Sequence, residues 1–303
     1  MILTVTLNPA VDIRYEIGEF KLNSIFRAKS NKTAGGKGLN VSRVLQTLGK
    51  NVVATGFLGG NNGQWIAEEL KKLEIKNEFI KINSETRSCI AILGENSQTE
   101  ILEPGSEIDE EELKKFIDFF KKNCEKFEVI CLSGSLPKNI QTDIYKELSV
   151  IARKKKVLLD TSGISLKAGI EGKPFLIKPN KDELEALLGY RVKTVEEIVE
   201  AGKKLKSMGA RNILISLGGE GAVYVGDESY KITIPKVQIK NPVGSGDSSI
   251  AGFAYGLSSG LPLEEILKYS MACGISNAMK VETGYVDLEV VQELFSKIII
   301  EKI

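Results

Sequence analysis

The stretch Asn241-Pro242-Val243-Gly244-Ser245-Gly246-Asp247-Ser248 sets two glycines and a carboxylate at the threshold of a small-residue helix that the sequence predicts to begin near Ser248. Glycines at 244 and 246 let successive N–H groups turn toward one point, and a helix starting there adds the positive end of its dipole. That combination suits an anion. Asp247 would be a poor anion ligand but a well-placed acceptor for a hydroxyl proton, so the pairing points to phosphoryl transfer to an alcohol. The same residues also fit a tight turn with Asp247 or Ser248 as helix cap, and the motif alone leaves both readings open.

Other segments carry compatible chemistry. In Ala34-Gly35-Gly36-Lys37-Gly38-Leu39-Asn40 the glycines allow close backbone approach, and Lys37 and Asn40 are polar groups at a helix start that could contact hydroxyl or phosphate oxygens. Neither a Walker A loop nor a Gly-x-Gly-x-x-Gly fingerprint occurs. Asp12, just past the first strand, would face sugar hydroxyls or serve as an ordinary turn residue. In Lys178-Pro179-Asn180-Lys181-Asp182-Glu183 the spacing of Asn180 and Glu183 is that of a capping box, and the same pair could organise water around a magnesium ion. Ser216-Leu217-Gly218-Gly219-Glu220-Gly221 reads as a strand-to-strand turn that could cover a nucleotide. Arg27 and Arg87 are either solvated or bidentate ligands for a second phosphate. Ser135, after an apolar strand, is a loop hydroxyl at the same sheet edge.

The elements that must position these residues follow from periodicity. Strand-like runs at 2–7, 52–57, 128–133, 157–160, 175–178 and 212–217 alternate with amphipathic segments such as 64–73, 111–122 and 195–208. That alternation predicts crossover units on a mostly parallel sheet with helices on both faces. Segments 11–33 and 86–103 instead alternate polar and apolar residues, with a hairpin turn at Gly94-Glu95-Asn96-Ser97, and predict a small antiparallel sheet serving as lid, dimer surface or both.

Composition excludes several classes. Lys plus Arg is 41 against 40 Asp plus Glu, so no overall field favours nucleic acid or an anionic membrane. The Arg153-Lys154-Lys155-Lys156 run falls where a helix should end, which suits cations. With no histidine, Ser-His-Asp triads, histidine-containing zinc sites and phosphohistidine chemistry are ruled out. The four cysteines form no Cys-x-x-Cys pair, no run of about 18 apolar residues occurs, and the first residues read directly as a strand; the expectation is a soluble, reduced, cytoplasmic protein.

Taken together, Gly35-Gly36-Lys37-Gly38-x-Asn40, Asn180-x-x-Glu183, Ser216-x-Gly218-x-x-Gly221 and Gly244-x-Gly246-Asp247 resemble, in order and spacing, the ribokinase-like carbohydrate kinases of the phosphofructokinase B family, over essentially the whole chain. The resemblance implies a three-layer α/β/α domain spanning 1–303 with a β-sheet lid, Mg-ATP as phosphoryl donor, and a homodimer joined through the lids. It makes Asp247 the base and the amides of Gly244, Ser245, Gly246 and Asp247 the hole for developing charge. Asp12, Gly36, Lys37 and Asn40 would orient the sugar, with Arg27, Arg87 and Ser135 near its phosphate. Lys178, Asn180, Glu183, Ser216, Gly218, Gly221 and Asn277 would attend the nucleotide and magnesium.

Within the family, 86–93, 98–103, 241–248 and 283–286 are similar to the members acting on D-tagatose 6-phosphate, which implies transfer to its 1-hydroxyl. Fructose 1-phosphate and fructose 6-phosphate are the alternative acceptors, and a non-catalytic sugar-phosphate or nucleotide sensor is the alternative of another class. Many relatives have Asp-Thr where this chain has Asn241-Pro242, and Ala at Ser245, so no carboxylate role carries over to 241.

Overall fold

The computed structural model describes residues 1–95 and 97–303; Asn96, in the expected hairpin turn, lies outside them. The first strand, Ile2–Thr6, lies between Val52–Gly59 and Val129–Ser133, parallel to both. Lys156–Asp160, Leu176–Ile177 and Asn212–Ser216 extend the parallel order on one side. Beyond them Ala222–Val225, Ser229–Thr233 and the C-terminal Ile299–Lys302 close the edge in antiparallel pairing. The expected strand positions therefore hold to within a few residues.

Both faces of this sheet are covered, which is why its strands are apolar on both sides. Val129 and Cys131 face one core while Ile130 and Leu132 face the other, and Leu214 opposes Ile213 and Ile215 in the same way. The first core is completed by Lys37–Thr47, Ser245–Ser258 and Leu263–Ala278; the second by Glu110–Asn123, Ile144–Ile151 and Val195–Met208. The architecture is the three-layer α/β/α arrangement that the alternation predicts. No helix among the described residues is long and apolar enough to cross a membrane.

The smaller sheet runs Ser30–Gly35, Ala10–Glu16, Ser88–Leu93, Gln98–Leu102. Its outer pairs are antiparallel, but the central pair, Ala10–Glu16 with Ser88–Leu93, is parallel, so the expected all-antiparallel lid is corrected. The reason is connectivity: the chain returns through the main sheet between the two halves, and each half enters the lid from the same edge.

Candidate active site

The sheet brings the carboxyl ends of its parallel strands to one edge, beneath the small sheet. There a cleft of about 1300 Å³ is lined by Asp12, Gly36, Lys37, Asn40, Arg87, Ser135, Lys178, Asn180, Glu183, Ser216, Gly244, Gly246 and Asp247, gathering most of the residues singled out from sequence. An adjoining cavity of about 350 Å³ shares Asn180 and Ser216 with it and adds Gly218.

The helix carrying Asp247 starts at Ser245, earlier than near Ser248, because Gly244 adopts φ 81° and the Ser245 N–H closes on the Pro242 carbonyl at 3.2 Å. That bond removes Ser245 from the expected set of anion-binding amides. The N–H groups of Gly246 and Asp247 stand in the first helical turn, where no intrahelical acceptor exists, and make that end suited to an anion. A side chain at Gly246 would put its Cβ 2.9 Å from the Lys178 ammonium, so glycine there lets the cation reach the same point.

Asp247 is buried, and its Oδ2 accepts from Asn40 Nδ2 at 2.7 Å. Burial pushes its carboxyl up to about 6, helped by the charge of Asp160 and opposed by Lys37, by the Asn40 hydrogen bond and by Lys178. Asp12 is likewise raised to about 6 by burial, against the pull of Arg43 and Arg87. Its carboxylate covers Gly35, where an added Cβ would lie 2.2 Å away, which explains the first glycine of that motif.

Asp160, closing the strand Lys156–Asp160, was missed from sequence. Its Oδ1 receives two ammonium groups, Lys37 at 3.4 Å and Lys178 at 3.7 Å, and its Oδ2 is buried without a protein partner among the described residues. The two cations hold its carboxyl below the usual range despite complete burial, and Asp160 in turn raises Lys37. An acidic residue ending an apolar strand at the ligand-binding edge of a parallel sheet was the signal available. Arg43, also missed, is a charged residue in the buried face of the Lys37–Thr47 helix.

Arg27, Asn277 and Gly221 stand outside the lining of both cavities. Arg27 is exposed in the connection between Ala10–Glu16 and Ser30–Gly35 and does not line the cleft. Asn277 is fully buried behind the Gly244 turn: its Nδ2 donates to the Val243 carbonyl at 2.8 Å, and its Oδ1 accepts from the Gly284 N–H at 2.7 Å. It braces the turn from behind. Gly221, at φ 96°, is required because a Cβ would lie 2.0 Å from the Ile232 carbonyl oxygen, a constraint of the strand connection.

Arg87 sits where the small sheet joins the main one, donating to the carbonyls of Asn8 at 3.3 Å and Glu103 at 3.2 Å, with Nε buried and without a partner among the described residues. Ser135 Oγ accepts from Asn8 Nδ2 at 3.1 Å. Asn180 and Glu183 form the capping box expected of their spacing; Glu183 Oε2 accepts from the Asn180 N–H at 2.9 Å, while Oε1 takes no part.

Residues 8–288 match the pfkB family carbohydrate kinase model. The chain is 45% identical over 305 residues to tagatose-6-phosphate kinase of Staphylococcus epidermidis, covering 98% of each chain. Among solved structures, a Staphylococcus aureus protein assigned as a phosphofructokinase superimposes with a TM-score of 0.89 at 32% identity, over 100% of this chain and 99% of that one. Phosphofructokinase-2 of Escherichia coli superimposes with a TM-score of 0.90 at 24% identity, over 97% and 98%, a likeness of fold. With the buried carboxylate, the glycine-capped helix end and the paired lysines assembled at one sheet edge, the chain belongs to the pfkB family of carbohydrate kinases.

Proposed function

We propose that the protein, as one kinase domain spanning the chain, transfers the γ-phosphoryl group of Mg-ATP to the 1-hydroxyl of D-tagatose 6-phosphate, giving D-tagatose 1,6-bisphosphate. The observation that carries the chemistry is the buried Asp247 carboxylate, with one oxygen held by Asn40 beside the first-turn amides of Gly246 and Asp247. The acceptor rests on the S. epidermidis relatives and their 45% identity over 98% of the chain.

In this reading Asp247 takes the proton of the attacking hydroxyl as the oxygen bonds to the γ-phosphorus and the bond to the β-phosphate oxygen breaks, releasing ADP. A carboxyl raised to about 6 is a stronger base than an ordinary aspartate, yet is mostly ionised above pH 7. The Gly246 and Asp247 amides with Lys178 face the charge developing on the transferred group. Asp12, Lys37 and Asn40 orient the sugar, and Arg87 with Ser135 meets its phosphate. Ser216 and Gly218 border the nucleotide.

Asn180 and Glu183 would hold magnesium through water. Glu183 keeps Oε1 outside the capping box at the cleft, and oxygen donors with retained water suit this cation. When bound, the metal neutralises charge on the β- and γ-phosphate oxygens. A dimer joined through the lids would cover the exposed Leu22, Ile25, Ile101 and Leu102. The four free thiols and the use of ATP support a cytoplasmic setting.

The test is ADP release by the purified protein with Mg-ATP and, separately, tagatose 6-phosphate, fructose 1-phosphate, fructose 6-phosphate or no sugar. The highest kcat/KM is expected with tagatose 6-phosphate. A preference for fructose 1-phosphate would overturn the acceptor while keeping the base, and silence on all three would favour the sensor.

A further inference from the structure

Arg43 is 3% exposed, deep in the first core, and its guanidinium is engaged on several sides. Nη1 donates to the Ala34 carbonyl, on the lid strand Ser30–Gly35. Nη2 donates to Asn40 Oδ1 and, at 3.1 Å, to the carbonyl of Thr283. The guanidinium carbon stands 5.2 Å from the centroid of the Tyr285 ring. Thr283 belongs to the loop behind the anion-binding turn, where its hydroxyl lies 3.2 Å from Asn241 Nδ2 and its methyl limits the space at Gly244.

The two ends of an asparagine amide have nearly the same shape and opposite hydrogen-bonding character, so only its partners decide which way it faces. Arginine has donors alone. With Arg43 on one side, Oδ1 of Asn40 must face the guanidinium, and Nδ2 must face Asp247. Reversed, the amide would set an oxygen against the Asp247 carboxylate and N–H groups against a cation. Lysine could not substitute, because a single ammonium lacks the planar fork that reaches several carbonyl oxygens while stacking on a ring.

We propose that Arg43 is a positioning residue for phosphoryl transfer: it locks the Asn40 amide in the orientation that donates to Asp247 Oδ2, leaving Asp247 Oδ1 as the oxygen that receives the acceptor's proton. Through Ala34 and Thr283 the same guanidinium fixes the lid strand and the loop behind the anion-binding turn in one frame with the base. The proposal rests on Asp247 being the base.

The experiment compares Arg43→Lys, Asn40→Ala, their combination and Asp247→Asn in the full chain, by ADP release with tagatose 6-phosphate and by the pH profile of kcat/KM, which reports the free enzyme. Asp247 faces Asp160, Lys37 and Lys178, with Asp12 and Arg43 also within electrostatic reach, and all but the substituted group are common to the variants. The expected result is a kcat loss of roughly 10- to 100-fold in Arg43→Lys with the ATP KM little changed, and an acid limb displaced to higher pH as the donor to Asp247 is lost. Because Arg43 acts through Asn40, adding Arg43→Lys to Asn40→Ala should cost little more. A purely structural role would lower the folded fraction without moving the limb, and that result overturns the proposal, as do additive losses. If Arg43→Lys yields too little folded protein, Arg43→Met, which keeps an unbranched side chain but offers Asn40 no N–H donor, takes its place in the same comparison with the same expected result. Full turnover by Asp247→Asn would sink the base assignment itself, whereas an inactive Asp247→Asn with an unaltered Arg43→Lys overturns only the role of Arg43.

Discussion

The side-chain amide of Asn40 donates to Oδ2 of Asp247 across 2.7 Å, joining the starts of two helices separated by 207 positions in the chain. The Gly35–Asn40 motif and the proposed base are thus one unit. Asn40 occupies one oxygen of the carboxylate and favours its charged form, against a burial that favours the neutral one.

Replacing Asp247 by Asn should lower kcat by roughly 10²- to 10⁴-fold while ATP still binds, as measured by ADP release and by nucleotide titration. The same change should stabilise the fold at neutral pH. The folded-state pKa of about 6 exceeds the unfolded value of 3.8, so ionising Asp247 destabilises the native state increasingly as pH rises between these values. The gain, about 1–3 kcal/mol, should be complete above pH 6 and shrink toward pH 4 in denaturant titrations. A stability difference independent of pH would contradict the burial argument.

In the unaltered enzyme, kcat/KM should rise with pH through an acid limb near 6, since the base must be deprotonated to act. Asp160→Asn should move that limb downward, because the charge of Asp160 is the next contribution after burial that raises Asp247. An upward shift would show that the freed lysines no longer face Asp247.

Asp160→Asn should also destabilise the protein, by about 2–3 kcal/mol at pH 7, since Lys37 and Lys178 would face each other without their shared counter-charge. Asp160 has a depressed pKa, so its contribution is present above the unfolded value of 3.8 and disappears as pH falls through the folded one. Thermal unfolding of both proteins between about pH 2 and pH 8 measures this; the curves should stay apart above the unfolded value of 3.8 and converge only below it.

Arg87→Ala should raise the KM for the sugar phosphate at least about 10-fold with the ATP KM nearly constant, as loss of a charge-assisted ligand predicts. Steady-state kinetics with each substrate varied in turn would decide it. An unchanged sugar-phosphate KM would remove the guanidinium from the acceptor site.

Two glycine substitutions separate space from backbone conformation. Gly218→Ala meets nothing within 4 Å at φ 61°, so its cost should be about 1–2 kcal/mol of left-handed strain. Gly244→Ala adds to similar strain at φ 81° a Cβ 2.6 Å from the Thr283 methyl, and should cost more, with a fall in kcat as the anion-binding amides move. Equal stability losses would show that the Thr283 loop yields freely.

The alternation of strands and helices, the two glycine-rich helix starts and the carboxylate at 247 were legible without the fold, because each is written in local periodicity or spacing. Asn180 and Glu183 were legible for the same reason: a capping box is a contact three residues long. The remaining contacts depend on which strands and helices end side by side. Asp160 becomes a hub for Lys178 because Leu176–Ile177 runs beside Lys156–Asp160 and delivers Lys178 to the same edge, and for Lys37 because the helix Lys37–Thr47 starts there. Arg43 carries no local signal of burial; Ala34, Asn40, Thr283 and Tyr285 close around it only in the folded chain. Asn277 and Arg27 carry polar groups suited to a ligand, but burial behind the turn claims the first and exposure outside the cleft separates the second. A residue type states what a side chain can bind; which partner lies within about 3 Å is fixed by packing between segments far apart in the chain.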